Sequence, residues 1–142
     1  MNAQTQTRYF QLESRRVEVL IDQASNAKGL ALIAHPHPLY GGTNQNKVVQ
    51  TMARAFLEQG FDTWRPNFRG VGQSEGAYDE GRGETQDFLA LVKEAHHLYP
   101  DLASNTRRLA LGGFSFGSYV ASMAYQALGP MGINAETLVL VG

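Results

Sequence analysis

The 142-residue chain has no cysteine. That removes disulfides, thiolate metal sites and a cysteine nucleophile together. It also lacks an excess of either charge: 12 Lys and Arg face 13 Asp and Glu, a formal net charge of −1. Such a balance leaves no basic footprint for nucleic acid or anionic lipid. No apolar run approaches the roughly 18 residues that a spanning helix needs. The opening Met1-Asn2-Ala3-Gln4-Thr5-Gln6-Thr7 is polar, unlike the basic-then-apolar pattern of a secretory signal. Charged residues make up 18% of the chain, below the roughly 25% of ordinary soluble domains. Apolar content, at 43%, is near average and excludes disorder as the main state. The expectation is one soluble, cytoplasmic, globular domain.

What the chain has in plenty is glycine, 15 residues, placed at the ends of apolar segments. Tyr9 to Leu12 and Arg16 to Ile21 alternate apolar and polar residues, as two half-exposed antiparallel strands would. Leu30-Ala31-Leu32-Ile33-Ala34 is a short unbroken apolar run before His35-Pro36, which predicts a strand buried on both faces. From Asn46 to Gln59 the period changes: Val48, Val49, Met52, Ala53, Phe56 and Leu57 recur at three and four, and Gly60 ends the helix. Phe61 to Pro66 predicts another strand and Gly70 to Gly83 a long loop. Phe88, Leu91, Val92, Ala95 and Tyr99 then share a helical face, with Glu84 and Asp87 in the first turn and Pro100 at the end. Arg108 to Gly113 predicts a buried strand, Tyr119 to Leu128 a helix, and Thr137 to Val141 another buried strand. Strands alternating with long helices imply right-handed crossovers in an α/β, mostly parallel, doubly wound sheet carrying an N-terminal antiparallel pair. Leu138-Val139-Leu140-Val141-Gly142 has the composition of a central strand, yet ends the chain. The expectation is an incomplete domain, the N-terminal part of a larger one, able to self-associate through that open edge.

Three constellations carry chemistry. Gly113-Phe114-Ser115-Phe116-Gly117 is G-x-S-x-G between a predicted strand and a predicted helix, where small flanking residues permit a sharp turn that exposes the Ser oxygen. The following helix would aim its first N–H groups at a developing oxyanion, that of Phe116 foremost. His35-Pro36-His37-Pro38-Leu39-Tyr40-Gly41-Gly42 follows the first buried strand and should share a crevice with that turn. Proline has no N–H, so a second oxyanion donor must come from His37, Leu39 or Tyr40, with His37 the first choice. His-x-His offers only two imidazoles and no third ligand at motif spacing, so no metal is expected. His96-His97 suits the negative end of a helix. In Asn67-Phe68-Arg69-Gly70-Val71-Gly72-Gln73-Ser74-Glu75-Gly76 the glycines run G-x-G-x-x-x-G, one residue too long for a dinucleotide fingerprint, and no helix opens directly from them. A sharply bending scaffold loop, with Arg69 available for a structural ion pair, is the expectation.

Taken in order, the His35-Pro36-His37-Pro38, Asn67–Ser74 and Gly113–Gly117 motifs resemble the α/β-hydrolase superfamily, in its small bacterial branch related to dienelactone hydrolases, esterases and acyl-peptidases. The similarity runs from about Tyr9 to Gly142. It implies an eight-stranded sheet, Ser115 as nucleophile, and His37 at the position whose backbone N–H helps bind the oxyanion; His35-Pro36 stands where many relatives have His-Gly. Asn67 replaces the Asp common before x-Arg-Gly.

A serine nucleophile needs a base and an orienting carboxylate, in this superfamily in the chain order Ser, acid, His. After Ser115 there is no His and no Asp, and Glu136 is the lone carboxylate side chain. The expectation is therefore a serine hydrolase of small acyl substrates whose acid and base are missing from this chain, weakly active or inactive by itself and needing no cofactor. An acyltransferase, or a non-catalytic domain that binds a ligand or partner in the same crevice, are the alternatives.

Overall fold

The computed structural model describes residues 4–104 and 106–142. Met1–Ala3, the start of the polar opening segment, lie outside them. The order is β1 (Gln6–Leu12), β2 (Arg15–Asp22), β3 (Gly29–Ala34), α1 (Lys47–Glu58), β4 (Phe61–Pro66), α2 (Arg82–Leu98), α3 (Pro100–Ala103), β5 (Arg108–Phe114), α4 (Phe116–Leu128) and β6 (Thr137–Val141). Among the described residues the strands form one sheet in the order β1-β2-β4-β3-β5-β6. The β1–β2 and β2–β4 pairs are antiparallel, whereas β3 pairs in parallel with both β4 and β5, and β5 with β6.

The sequence sets the faces by alternation. Leu30, Leu32 and Ala34 of β3 point into the larger core, which holds α2, α4 and the inner side of β1 and β2. Ala31 and Ile33 point the other way, onto Val49, Met52 and Ala53 of α1. β3 and β4 are buried along their whole length; the unbroken apolar run of β3 requires this, whereas β4 carries the buried polar residues Asp62, Thr63 and Arg65. Asn46 starts α1 by accepting from the N–H groups of Val48 (2.9 Å) and Val49 (3.2 Å), and Gly60 ends it at a φ of 87°.

Three expectations shift. β6 is half-exposed, with Val139 37% and Leu140 47% accessible, because it pairs with β5 on one side and is the sheet edge among the described residues. Its apolar composition reads as a central strand, but burial depends on neighbours, which composition does not contain. Pro100 ends one helix yet opens the short α3, since a first-turn residue needs no N–H partner. And α4 begins at Phe116, three residues before the predicted Tyr119.

Candidate active site

β3 and β5 lie side by side, but the chain leaves β3 toward α1 on one face and leaves β5 toward α4 on the other. A crevice opens at the carboxyl ends of such a pair, where the connections diverge. The His35–Gly42 segment and the Ser115 turn meet there: the His37 ring lies 4.7 Å, centroid to centroid, from that of Phe116.

A single residue makes the turn from β5 into α4. Ser115 has φ 57° and ψ −119°, a backbone state costly for a side-chain-bearing residue, and it is exposed. The surroundings enforce it. The Ser115 N–H donates to the Val141 carbonyl (2.9 Å), and the Ser118 hydroxyl bonds the carbonyls of Gly113 (2.9 Å) and Val141 (2.7 Å). The flanking glycines are required by contact: a Cβ on Gly113 would sit 2.2 Å from the Gly117 carbonyl oxygen, and one on Gly117 would sit 2.1 Å from that of Ala34. The motif's small residues let α4 start against the end of β3.

Across the crevice, the three potential donors of the first loop are resolved. The Leu39 N–H donates to His37 Nδ1 (3.1 Å) and the Tyr40 N–H to the His37 carbonyl (3.1 Å) in a tight 3-10 turn. The His37 N–H has no acceptor among the described residues, and neither has the Phe116 N–H at the first position of α4. Two amide donors are thus left unengaged on the two segments that meet at the crevice.

The loop is tied at both ends to the segment after β4. His35 is fully buried, stacks on Phe68 at 4.4 Å, accepts the Phe68 N–H at Nε2 (3.0 Å) and donates from Nδ1 to the Pro36 carbonyl (2.7 Å). Burial pushes its pKa down to about 4, only partly countered by the Pro36 bond, so it stays neutral. At the far end, Asn44 receives Arg65 Nη1 at its carbonyl (2.9 Å), gives its N–H to Asn67 Oδ1 (2.8 Å) and its side-chain amide to the Arg65 carbonyl (2.9 Å). Arg65 is buried; desolvation lowers its pKa, opposed by its ion pair with Asp22 at 3.3 Å. Asn67, in place of the superfamily's Asp, is thus part of this anchor.

The glycine-rich loop crosses the same end of the sheet as a strap. Arg69 grips Asp87 through two bonds (3.0 and 2.8 Å), and Arg15 from β2 binds the same carboxylate. Glu84 caps α2 by accepting from the N–H groups of Asp79 (2.8 Å) and Gly81 (2.9 Å). The predicted structural ion pair of Arg69 is therefore present. Tyr78, which no sequence signal marked, approaches His37 Nε2 at 3.2 Å with its hydroxyl. Because Nδ1 of His37 accepts from Leu39, the neutral ring carries its proton on Nε2 and donates it to Tyr78.

Neither loop imidazole is free to take a proton from Ser115 without breaking these bonds. The remaining candidates lie at the wrong end. Glu136 precedes β6, bonds Arg108 at the start of β5 (2.8 Å), and so sits a full strand, roughly 20 Å, from the Ser115 turn. His96 and His97 close α2, whose opposite end, at Gly81, is the one that reaches Phe116 and Tyr119. Among the described residues no group of three or more His, Asp or Glu could hold a metal ion, and no helix is long and apolar enough to cross a membrane.

Comparison with known proteins identifies the family and the fold. Residues 26–142 match the family model described as serine aminopeptidase, S33. An uncharacterised protein of Rickettsia prowazekii is 38% identical over 114 residues, which cover 80% of this chain and 46% of that protein. An α/β serine hydrolase homologue from Coxiella burnetii superposes with a TM-score of 0.78 at 38% identity, over 89% of this chain and 60% of that one. A lidless α/β serine hydrolase from Xanthomonas campestris gives 0.84 at 31% identity, over 99% and 62%. The chain thus spans less than two thirds of the length of each.

Proposed function

Since the chain belongs to the serine aminopeptidase S33 family of α/β hydrolases, we propose that it cleaves a small acyl substrate, an ester or a related acyl bond, with Ser115 as nucleophile. The observation that carries this reading is the exposed Ser115 turn, at φ 57° between β5 and α4, beside the unengaged N–H groups of Phe116 and His37.

Ser115 Oγ attacks the carbonyl carbon and loses its proton to a base. The carbonyl oxygen takes up the negative charge and is held by the two amides, which need no reorganisation to receive it. Collapse expels the leaving group, which takes the proton from the base, and leaves an acyl-Ser115 ester. Water then repeats the sequence and releases the acid. Among the described residues no base and orienting carboxylate stand free for Ser115, because His35 is buried and neutral, His37 is bonded at both nitrogens, and Glu136 lies at the far end of β5. Without them, binding and the oxyanion donors alone supply about 10³–10⁴ over water. The engagement of both imidazoles also favours a second reading, a crevice that binds a ligand without turning it over.

Hydrolysis of p-nitrophenyl butanoate separates the two. The 142-residue chain should act slowly, and added imidazole, a diffusible base, should raise the rate above the protein-free imidazole reaction in the wild type but not in Ser115→Ala. Equal rates in the two proteins at every imidazole concentration would contradict the nucleophile.

A further inference from the structure

A ladder of rings leads away from Ser115. The His37 ring packs at a tilt against Tyr40 (4.8 Å), Tyr78 (5.0 Å) and Phe116 (4.7 Å); Phe116 continues to Tyr78 (5.9 Å) and Tyr119 (6.4 Å). The last ring opens onto a groove of about 430 Å³ lined by Tyr119 and Met123 of α4 and by Glu80 of the strap and Arg82, Thr85 and Gln86 of α2. One side of Tyr119 rests on Gly81, where a Cβ would come within 2.8 Å of the ring, yet the residue is 52% exposed. Met123, one helical turn on, is 40% exposed and places a thioether beside the same space. Among the described residues the arginine–ring contacts fall elsewhere, on Phe10, Tyr9, Tyr99 and Phe61, so no cation occupies a face of this ladder.

Rings held at fixed spacing, with free faces and a polarisable sulfur at the end, favour a flat π-system over a saturated group of equal size. We propose that this groove is a substrate subsite that takes an aromatic group, so that the substrates are aromatic acyl compounds with the carbonyl at Ser115 and the ring against Tyr119 and Met123. The proposal rests on Ser115 as the reacting residue for its orientation, but the subsite can be tested apart from the chemistry.

Benzamide and cyclohexanecarboxamide share a head group and differ in ring character. Titrated into the Ser115→Ala chain and followed by amide chemical shifts, benzamide should bind about fivefold more tightly, with its largest shifts at Gly81, Tyr119 and Met123. Tyr119→Leu, which keeps an apolar side chain but removes the ring, should cut the ratio to near one. Met123→Trp, which fills the groove, should weaken benzamide. Equal affinity of the two amides, or a preference unchanged in both variants, overturns the subsite. In parallel, phenylmethanesulfonyl fluoride reports on the nucleophile of the unsubstituted chain with imidazole added as base: Ser115 Oγ bonds to sulfur, fluoride leaves and the proton passes to imidazole. Sulfonylation of Ser115 without a benzamide preference would reject the subsite and keep the nucleophile; the preference without sulfonylation would do the reverse.

Discussion

At the scale of single residues, two side chains near the crevice are placed in opposite ways. Ser115 is placed where its backbone is strained and its oxygen exposed; His35 is placed where its ring is buried and its charge suppressed. The first was legible from Gly113-x-Ser-x-Gly117 because the need for glycine is local: each missing Cβ would strike a carbonyl. The second was not, since His35 and His37 differ by burial, which neighbours in space decide. That burial has a pH signature. Above pH 6.5 His35 is neutral folded and unfolded; as pH falls toward 4 the unfolded chain binds a proton that the folded chain refuses. Stability therefore drops across that window, by about 3 kcal/mol at its lower end. His35→Gln should lower stability at pH 7.5 but flatten the decline in urea midpoint between pH 6.5 and 4.5. An unchanged decline would assign the titration to another group.

Elements come next, and here the strap between β4 and α2 matters most. Asp87, in the first turns of α2, is gripped by Arg69 of the strap and Arg15 of the hairpin, and so joins three parts of the chain far apart in sequence. Burial alone would raise the Asp87 pKa, but the bonds from Arg69 and Arg15 outweigh it and hold the carboxyl below its usual range. Its contribution is present above the ordinary carboxylate pKa and is lost only as pH falls through that depressed value, below the His35 window. Asp87→Asn leaves two half-buried guanidiniums without a counter-charge, and should cost about 2 kcal/mol, read as a lower urea midpoint at pH 7 with a difference that shrinks in strong acid. A cost that does not change with pH would show that shape, not charge, holds the strap. The sequence offered Arg69 for an ion pair; its partner across 18 positions was invisible, as was Tyr78 on His37. The helices were legible through their period, while their ends moved by up to three residues where a cap rather than the period decides, as at Ser115.

For the whole molecule, the mixed sheet follows from alternation and connection rules, and the superfamily resemblance is matched by the family model and the superposed hydrolases. At one edge of that sheet, β6 leaves apolar side chains open. Val139 and Val141 join Val48, Thr51, Met52, Ala55 and Phe56 of α1 around an apolar groove of about 440 Å³, next to a strand paired on one side among the described residues. An exposed apolar strand edge is a template for pairing with another chain. The 142-residue chain is expected to self-associate there, with a concentration-dependent sedimentation coefficient that Val139→Lys plus Leu140→Lys suppresses. A monomer at all concentrations would show that the edge is protected.

The account turns on Ser115. The most direct measurement is peptide mapping by mass spectrometry after reaction of the folded 142-residue chain with a biotinylated fluorophosphonate, with and without imidazole. The account predicts a single adduct on the peptide carrying Ser115, accelerated by imidazole and absent from Ser115→Ala. An adduct on a different residue, or none at Ser115 with imidazole present, would contradict it.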